Sequence, residues 1–362
     1  MYNEIGSEFW DTNECGGTGV FSLIPYKENC IYTLCGRTAL DIVIDDIIKS
    51  NRRVRSAYLP SYCCHTMIEP FVKRGIKVSF YDVYTHENKI EIDFDDNNCC
   101  DIVFFLDYFG FKIDNLSKKA MSQHNAGKTV ICDATHSFFC KSNDYSNFDY
   151  VFASLRKWVG VNFGFCSKHS GSFGNYSLRQ NDKYTALRNK CFCEKAKYIR
   201  GEINNKEHFL ARFADAENML ETDYEFYAAD ERSIKVLSNL NVEHLVSQRR
   251  ENALKLIDAL KPLQNGQFFL IYDNLPGDCV PLFLPIEIKC GLRSAVRKRL
   301  IDNKIYCPVH WPTSKFHAIS QKAEDLYNNE MSLICDQRYS TEEMNYISYN
   351  LNEAIKNVRL VF

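Results

Sequence analysis

Short apolar runs alternate with stretches of helical periodicity through the first half of the chain. "CIYTLCG" (30–36) leads into "RTALDIVIDDIIKS", and "SAYLP" (56–60) precedes a second helical piece ending near Gly75. "KVSFYDV" (77–83), "DIVFFLDYF" (101–109), "TVICDAT" (129–135), "FDYVFAS" (148–154) and "GFCSK" (164–168) read as further strands, with a polar helix in "LSKKAMSQHNAG". Runs that are apolar on both faces and joined through helices predict a mainly parallel sheet covered on both sides. The joining segments have the lengths such crossovers need.

From about residue 178 to 260 the pattern becomes long, charged and helical. Mixed elements then return: strands in "QFFLIYDN", "CVPLFLPIEI" and "IYCPVHW", helices in "GLRSAVRKRLIDNK" and "STEEMNYISYNLNEAIKN". The expected fold class is α/β. A large domain holds a mainly parallel, seven-stranded type of sheet between helices, and a smaller α+β domain follows. The expected division is an N-terminal arm at 1–30, a large domain with a helical bridge at 31–240, and a small C-terminal domain at 241–362.

Composition changes this picture little. The chain has 362 residues, 45% hydrophobic and 25% charged, as in ordinary soluble domains. A net charge of −2 gives no bulk attraction to nucleic acid or acidic membranes, so neither is expected as a partner. No apolar run reaches the ~20 residues that span a bilayer. The start of the sequence lacks a basic-then-apolar leader, and a cytoplasmic location is expected. There are 16 cysteines, but no C-x-x-C spacing. In a chain of this length they read as reduced small hydrophobes, and no metal is expected. "GGTGV" (16–20) lacks the lysine and following helix of a phosphate loop and reads as a turn.

Candidate chemistry sits at strand ends. "TVICDATHSFF" brings Asp133 to the C-terminal end of a strand, the edge where open α/β sheets bind ligands. Lys157, in "FASLRKWVG", follows the next strand, with Ser154 three residues before it. An Asp and a Lys placed this way suit pyridoxal phosphate: the lysine forms a Schiff base, and the carboxylate keeps the ring nitrogen protonated. A structural ion pair between the two fits the same pattern. "YTLCGRTAL" offers a strand, Gly36, and then Arg37 and Thr38 opening a helix. Such a helix start can bind phosphate through backbone N–H groups and the Thr38 hydroxyl, although Thr38 can equally be a plain cap.

In this order the motifs resemble a fold-type I pyridoxal-phosphate enzyme of the aspartate aminotransferase-like architecture, nearest to the DegT-like sugar aminotransferases. "CGRTAL" resembles their phosphate turn, "LPSYCC" (59–64) their "VP-x-x-T" strand end, and "DYFG" (107–110) their "H-x-Y-G" turn, with Asp107 in place of His. "DATHS" resembles their cofactor strand and "SLRK" their lysine segment. "QRRENALKLIDAL" and "IYCPVHWP" fit the tail, so the resemblance spans roughly 30–355.

The resemblance implies pyridoxal 5'-phosphate as cofactor, with Lys157 and Asp133 catalytic and His136 beside the cofactor's phenolic oxygen. Gly36, Arg37, Thr38 and Ser154 would take the phosphate. The aromatic that stacks on the ring in that family falls on Cys64, which leaves Tyr62 or His65 to stack. The family's "N-Y-R", which reaches the neighbouring subunit's phosphate, has no counterpart at 200–235, which leaves Arg37 or Arg156 in its place. Asp107, His310, Trp311 and Arg338 are the candidate substrate residues. The implied activity is transfer of an amino group from a donor such as glutamate to a keto sugar, possibly nucleotide-linked, by a homodimer. Two other readings stay open. One is a lyase or decarboxylase acting on an amino acid clamped by Arg338, and the other is a non-catalytic protein that keeps the fold.

Overall fold

The computed structural model describes residues 4–11, 16–141 and 143–359. The strands are β1 (Ile5–Gly6), β2 (Cys30–Thr33), β3 (Ser56–Pro60), β4 (Lys77–His86), β5 (Lys89–Asp93), β6 (Ile102–Leu106), β7 (Thr129–Asp133), β8 (Tyr150–Ser154), β9 (Gly164–Lys168), β10 (Phe268–Leu270), β11 (Leu284–Ile288), β12 (Ile305–Tyr306) and β13 (Glu330–Leu333). The helices are α1 (Gly36–Ser50), α2 (His65–Lys73), α3 (Leu116–Asn125), α4 (Asp182–Ile199), α5 (Glu207–Thr222), α6 (Glu231–Ser238), α7 (Val242–Leu260), α8 (Arg293–Asp302), α9 (Gln321–Asn329) and α10 (Thr341–Arg359).

The main sheet runs β2-β9-β8-β7-β6-β3-β4-β5. Its centre is parallel, from β8 through β7, β6 and β3 to β4. Every residue of β6 and of β8 is buried, as apolar runs covered on both faces require. Helices α1, α2 and α3 flank the sheet. The expected seven strands gain an eighth, the antiparallel edge strand β5. It folds back from β4 through Glu87 and Asn88, both at positive φ, as a tight hairpin turn requires. "KIEID" is short and mostly polar, so no apolar run marks it as a strand.

A three-stranded antiparallel sheet, β10-β11-β13, lies against α9 and the turn at Lys261–Leu263, while α10 packs on α7 and α8. The strand expected over "IYCPVHW" stops at Tyr306. Pro308 has no N–H to give a ladder, and its carbonyl accepts from the Ser332 N–H instead. The strand in "CVPLFLPIEI" occupies only its second half, and α9 and β13 were not expected from the pattern.

Residues 4–11 form a strap across the molecule. β1 pairs in parallel with β12, and the Gly6 N–H donates to the Tyr339 hydroxyl at 2.8 Å. Lys195 of α4 donates to the Glu8 carbonyl at 2.6 Å. "GGTGV" is a turn, its Gly17 and Gly19 N–H groups bonded to the Asn239 and Leu240 carbonyls. Every described cysteine is free; Cys15 lies outside the described residues. No helix among the described residues is long and apolar enough to cross a membrane.

Candidate active site

The C-terminal ends of β7 and β8 lie side by side, with Asp133 opposite Phe152. Asp133 is buried, and its carboxylate accepts from the Thr135 N–H at 2.8 Å. Burial pushes it up, the hydrogen bonds from Thr135 and the Lys157 charge pull it down, and the result is about 6.

After Ser154 the chain makes one 3-10 turn, Leu155–Lys157. Leu155 and Trp158 face the core at its two ends. The Leu155 N–H donates to the Phe163 carbonyl, and the Trp158 indole donates to the Thr135 carbonyl at 2.7 Å. Arg249 stacks over the Trp158 ring at 4.5 Å. With those two side chains anchored, Arg156 and Lys157 are turned the other way, into a cavity of about 230 Å³. The Lys157 side chain reaches open space, but that space is the cavity itself. The enclosing protein therefore lowers its pKa by desolvation, and Arg156 beside it adds to the effect. Among the described residues nothing accepts a hydrogen bond from its ammonium.

Opposite stands the start of α1, whose first turn has no side-chain cap. Gly36 is needed there because an added Cβ would lie 2.8 Å from the Ser154 Cβ. The Ser154 hydroxyl is buried and has no hydrogen-bond partner. An uncapped helix start beside an orphaned hydroxyl suits an anion.

His136 is buried between two walls. The Phe109 N–H donates to its Nδ1 at 3.2 Å, which places the proton of the neutral ring on Nε2. Burial, then His310 and Lys157, lowers its pKa well below the ordinary value, so the ring is neutral. Phe109 can present its N–H because Gly110 follows, at φ +87, where a Cβ would meet the Val280 carbonyl oxygen at 1.9 Å. Trp311 stacks on the His136 ring at 5.6 Å.

Nine of the expected residues therefore share this cavity: Gly36, Arg37, Cys64, His65, Asp133, His136, Ser154, Lys157 and Trp311. His310 and Arg338 line an adjoining cavity of about 410 Å³, which shares His136, Arg156 and Lys157 with the first. Three expectations are corrected. The Thr38 hydroxyl donates to the Tyr224 carbonyl at 2.6 Å, away from the cavity, so only its backbone N–H at the start of α1 is left to a phosphate. Tyr62 is wholly buried, donates to the His310 carbonyl at 2.5 Å and packs behind Trp311, so it is not a stacking residue. Asp107 accepts from the Ile113 N–H at 2.9 Å and lines a separate cavity with Lys112.

Arg338 is also corrected as a carboxylate clamp. Its fork is bidentate to Asp336 at 2.8 and 2.7 Å, and its face lies on Phe9 at 4.0 Å and Trp10 at 4.4 Å.

The sequence reading missed the carboxylates of α5. Glu217 takes Arg156 at 2.6 Å and Arg188 at 3.2 Å, and Glu221 takes Arg37 at 2.7 Å. Both line the cavity. Their four-residue spacing in "ENMLET" puts them on one helix face, which is the signal available in the sequence. Neither Arg37 nor Arg156 is thus a loose surface cation. Among the described residues no group of three or more His, Cys, Asp or Glu is placed to hold a metal ion.

No protein-family model matches the chain, and no curated protein does. Solved structures do match. An aminotransferase TlmJ from Streptoalloteichus hindustanus superposes with a TM-score of 0.66 at 13% identity, over 97% of this chain and 93% of that one. The aminotransferase fold is shared. PseC from Helicobacter pylori, an aminotransferase involved in the biosynthesis of pseudoaminic acid, gives 0.66 at 12% identity over 98% of this chain and all (100%) of that one. NtdA from Bacillus subtilis, solved with bound cofactor PMP, gives 0.62 at 14% identity over 90% and 73%. In this aminotransferase fold, the cavity holding Lys157 opens at the C-terminal ends of the parallel strands.

Proposed function

We propose that the chain is a pyridoxal-5'-phosphate-dependent aminotransferase that passes an amino group from a donor such as glutamate to a keto sugar, possibly nucleotide-linked. The observation that carries this is the unpartnered ammonium of Lys157 in a cavity floored by Asp133. The orphaned Ser154 hydroxyl beside the uncapped start of α1 gives a phosphate its place. The carboxylates of Glu217 and Glu221 do not oppose it, since Arg156, Arg188 and Arg37 already answer them.

When bound, the cofactor supplies an aldehyde and an electron-accepting ring. Gly36, Arg37 and Ser154 would hold its phosphate. Asp133 would keep the ring nitrogen protonated, and His136, with its proton on Nε2, would serve the phenolic oxygen. Lys157 Nζ, made easier to deprotonate by desolvation, would be the group to bond the cofactor's aldehyde and to hold the proton moved at the substrate carbon. Cys64, His65 and Trp311 would wall the ring, and His310, in the adjoining cavity, would border the substrate. With Arg338 held by Asp336, the reading as an amino-acid lyase loses its clamp. Retention of Asp133, Ser154 and Lys157 speaks against a non-catalytic protein.

The reading includes a cytoplasmic homodimer acting on small molecules. It also includes the division into an arm at 1–30, a cofactor-holding domain at 31–240 and a small domain at 241–362. Two-fold dimers are the commonest assemblies, and one of this kind should bury more than ~2,000 Å².

The test is the visible absorption of purified protein loaded with pyridoxal phosphate, followed by borohydride reduction and peptide mapping. A band that bleaches with glutamate, and a label on Lys157, are expected. A colourless protein, or a label on another lysine, refutes the assignment.

A further inference from the structure

Cys64 stands at the N-cap of α2, a nine-residue helix whose first turn has no side-chain cap. Free N–H groups and the helix dipole favour negative charge there. Its sulfur accepts from the Thr66 hydroxyl at 3.3 Å and faces His65 Nδ1 at 3.9 Å. His65 Nε2 faces the Glu221 carboxylate of α5 at 3.5 Å, and Arg37 holds Glu221 from the other side. Thiol, imidazole and carboxylate thus stand in series, the arrangement in which a base activates a nucleophile and a third group orients the base. Cys64 is half-buried and lines the first cavity, into which the unpartnered Ser154 hydroxyl also points.

The electrostatics agree with the geometry. Burial raises the thiol, but hydrogen bonds from His65 and Thr66 and the His65 charge outweigh it and hold the group at about 7. His65 moves up in turn, chiefly through its hydrogen bond with the Cys64 sulfur. The other charged or titratable groups facing the sulfur are Lys157 across the cavity, the buried Cys63 thiol and the Tyr327 phenol. The last two are pushed up by burial and stay protonated. The exposed thiols Cys99, Cys193 and Cys290 have no such partners; Cys193 lies against Asp11 and is raised.

We propose that Cys64 is a nucleophilic thiolate activated by His65 and Glu221, and that it is the site in this cavity which small electrophiles, hydrogen peroxide among them, modify. The sulfur attacks one peroxide oxygen and the O–O bond breaks. The departing hydroxide takes a proton from solvent and leaves as water. Sulfur gives up two electrons and becomes a sulfenic acid, and the peroxide is reduced. The neutral product removes a negative charge that faced His65 and Lys157. Nothing in this step depends on a bound cofactor.

The experiment treats the purified full chain with hydrogen peroxide, traps sulfenic acid with dimedone and maps the peptides. Cys64 should be labelled ahead of Cys99, Cys193 and Cys290 by at least ~5-fold at pH 7. Alkylation of Cys64 by iodoacetamide should rise with a midpoint near pH 7. His65→Gln should move that midpoint toward the ordinary thiol value of about 8.5 and slow alkylation at pH 6.5 roughly 10-fold. Glu221→Gln, a change on the exposed rim, should move it the same way by less and serves if His65→Gln does not fold. Equal labelling of the exposed cysteines, or a wild-type Cys64 midpoint at about 8.5 or above, overturns the proposal.

Discussion

Glu217 and Arg156 meet at 2.6 Å across the outer wall of the cavity, joining α5 to the turn that carries Lys157. Burial raises the Glu217 carboxyl, but Arg156 and Arg188 outweigh it and hold it at about 2. The stabilisation is therefore present above the ordinary value of 4.5 and is lost as pH falls toward 2. The side chain is 37% exposed, so solvent screens much of the effect. Glu217→Gln should lower unfolding stability by ~1–2 kcal/mol at pH 7, with the difference shrinking below pH ~3, as urea titrations at the two pH values can check.

Asp133 has the opposite sign. Its folded value, about 6, lies above the ordinary 3.8, so ionising it works against folding, and stability falls as pH rises from one value to the other. In cofactor-free protein, Asp133→Asn should raise stability by ~1–3 kcal/mol at pH 7.5 and make little difference at pH 3.5. The same variant should lose most transaminase turnover. A variant no more stable than wild type at pH 7.5 would show that the buried carboxylate is better compensated than Thr135 and Lys157 allow.

Ser154→Ala removes a hydroxyl that has no partner in the protein. Unfolding stability without cofactor should stay within ~1 kcal/mol of wild type, because no hydrogen bond is broken. Affinity for pyridoxal phosphate should drop roughly 10-fold, as expected for one charge-assisted bond. Equilibrium dialysis measures the second effect and denaturation the first. A large loss of stability with unchanged affinity would mean that the hydroxyl serves the core rather than the anion site.

Arg338→Lys should cost ~2–3 kcal/mol, since lysine keeps the charge but loses the fork on Asp336 and the planar stacking on Phe9 and Trp10. Thermal or urea unfolding checks this. The KM for the amino donor should stay within about twofold among molecules that remain folded. A KM that climbs while stability holds would return Arg338 to the role of substrate clamp.

How much of this was legible in the sequence follows from which contacts are local. Asp133, Ser154 and Lys157 could be read because each sits at or just beyond the end of an apolar run, and parallel strands bring such ends to one edge. Tyr62 and Cys64 lie two residues apart just past β3, yet one packs into the core and the other opens to the cavity. That choice depends on Trp311 and Tyr327, distant in the chain. Thr38 looked like a phosphate ligand until Tyr224, 186 positions away, took its proton. Glu217 and Glu221 do not stand out in the sequence because their arginines come from three other segments. The edge strand β5 and the helix α9 carry too few apolar residues to announce themselves.

The strap at residues 4–11 sets an order of assembly. Its partners in β12 and at Tyr339 lie roughly three hundred residues downstream. A ribosome adding ~5–20 residues per second needs on the order of 15–60 s to reach them after the strap has emerged. Through that interval the nascent chain can form β2 to β9 and bring Asp133 and Lys157 together, while Phe9 and Trp10 have no Arg338 to rest on. Ser7, Glu8 and Phe9, which line the second cavity, thus reach their places last. A small molecule that binds between the ends of β7 and β8 meets that part of the site during synthesis, before the second cavity has its full lining.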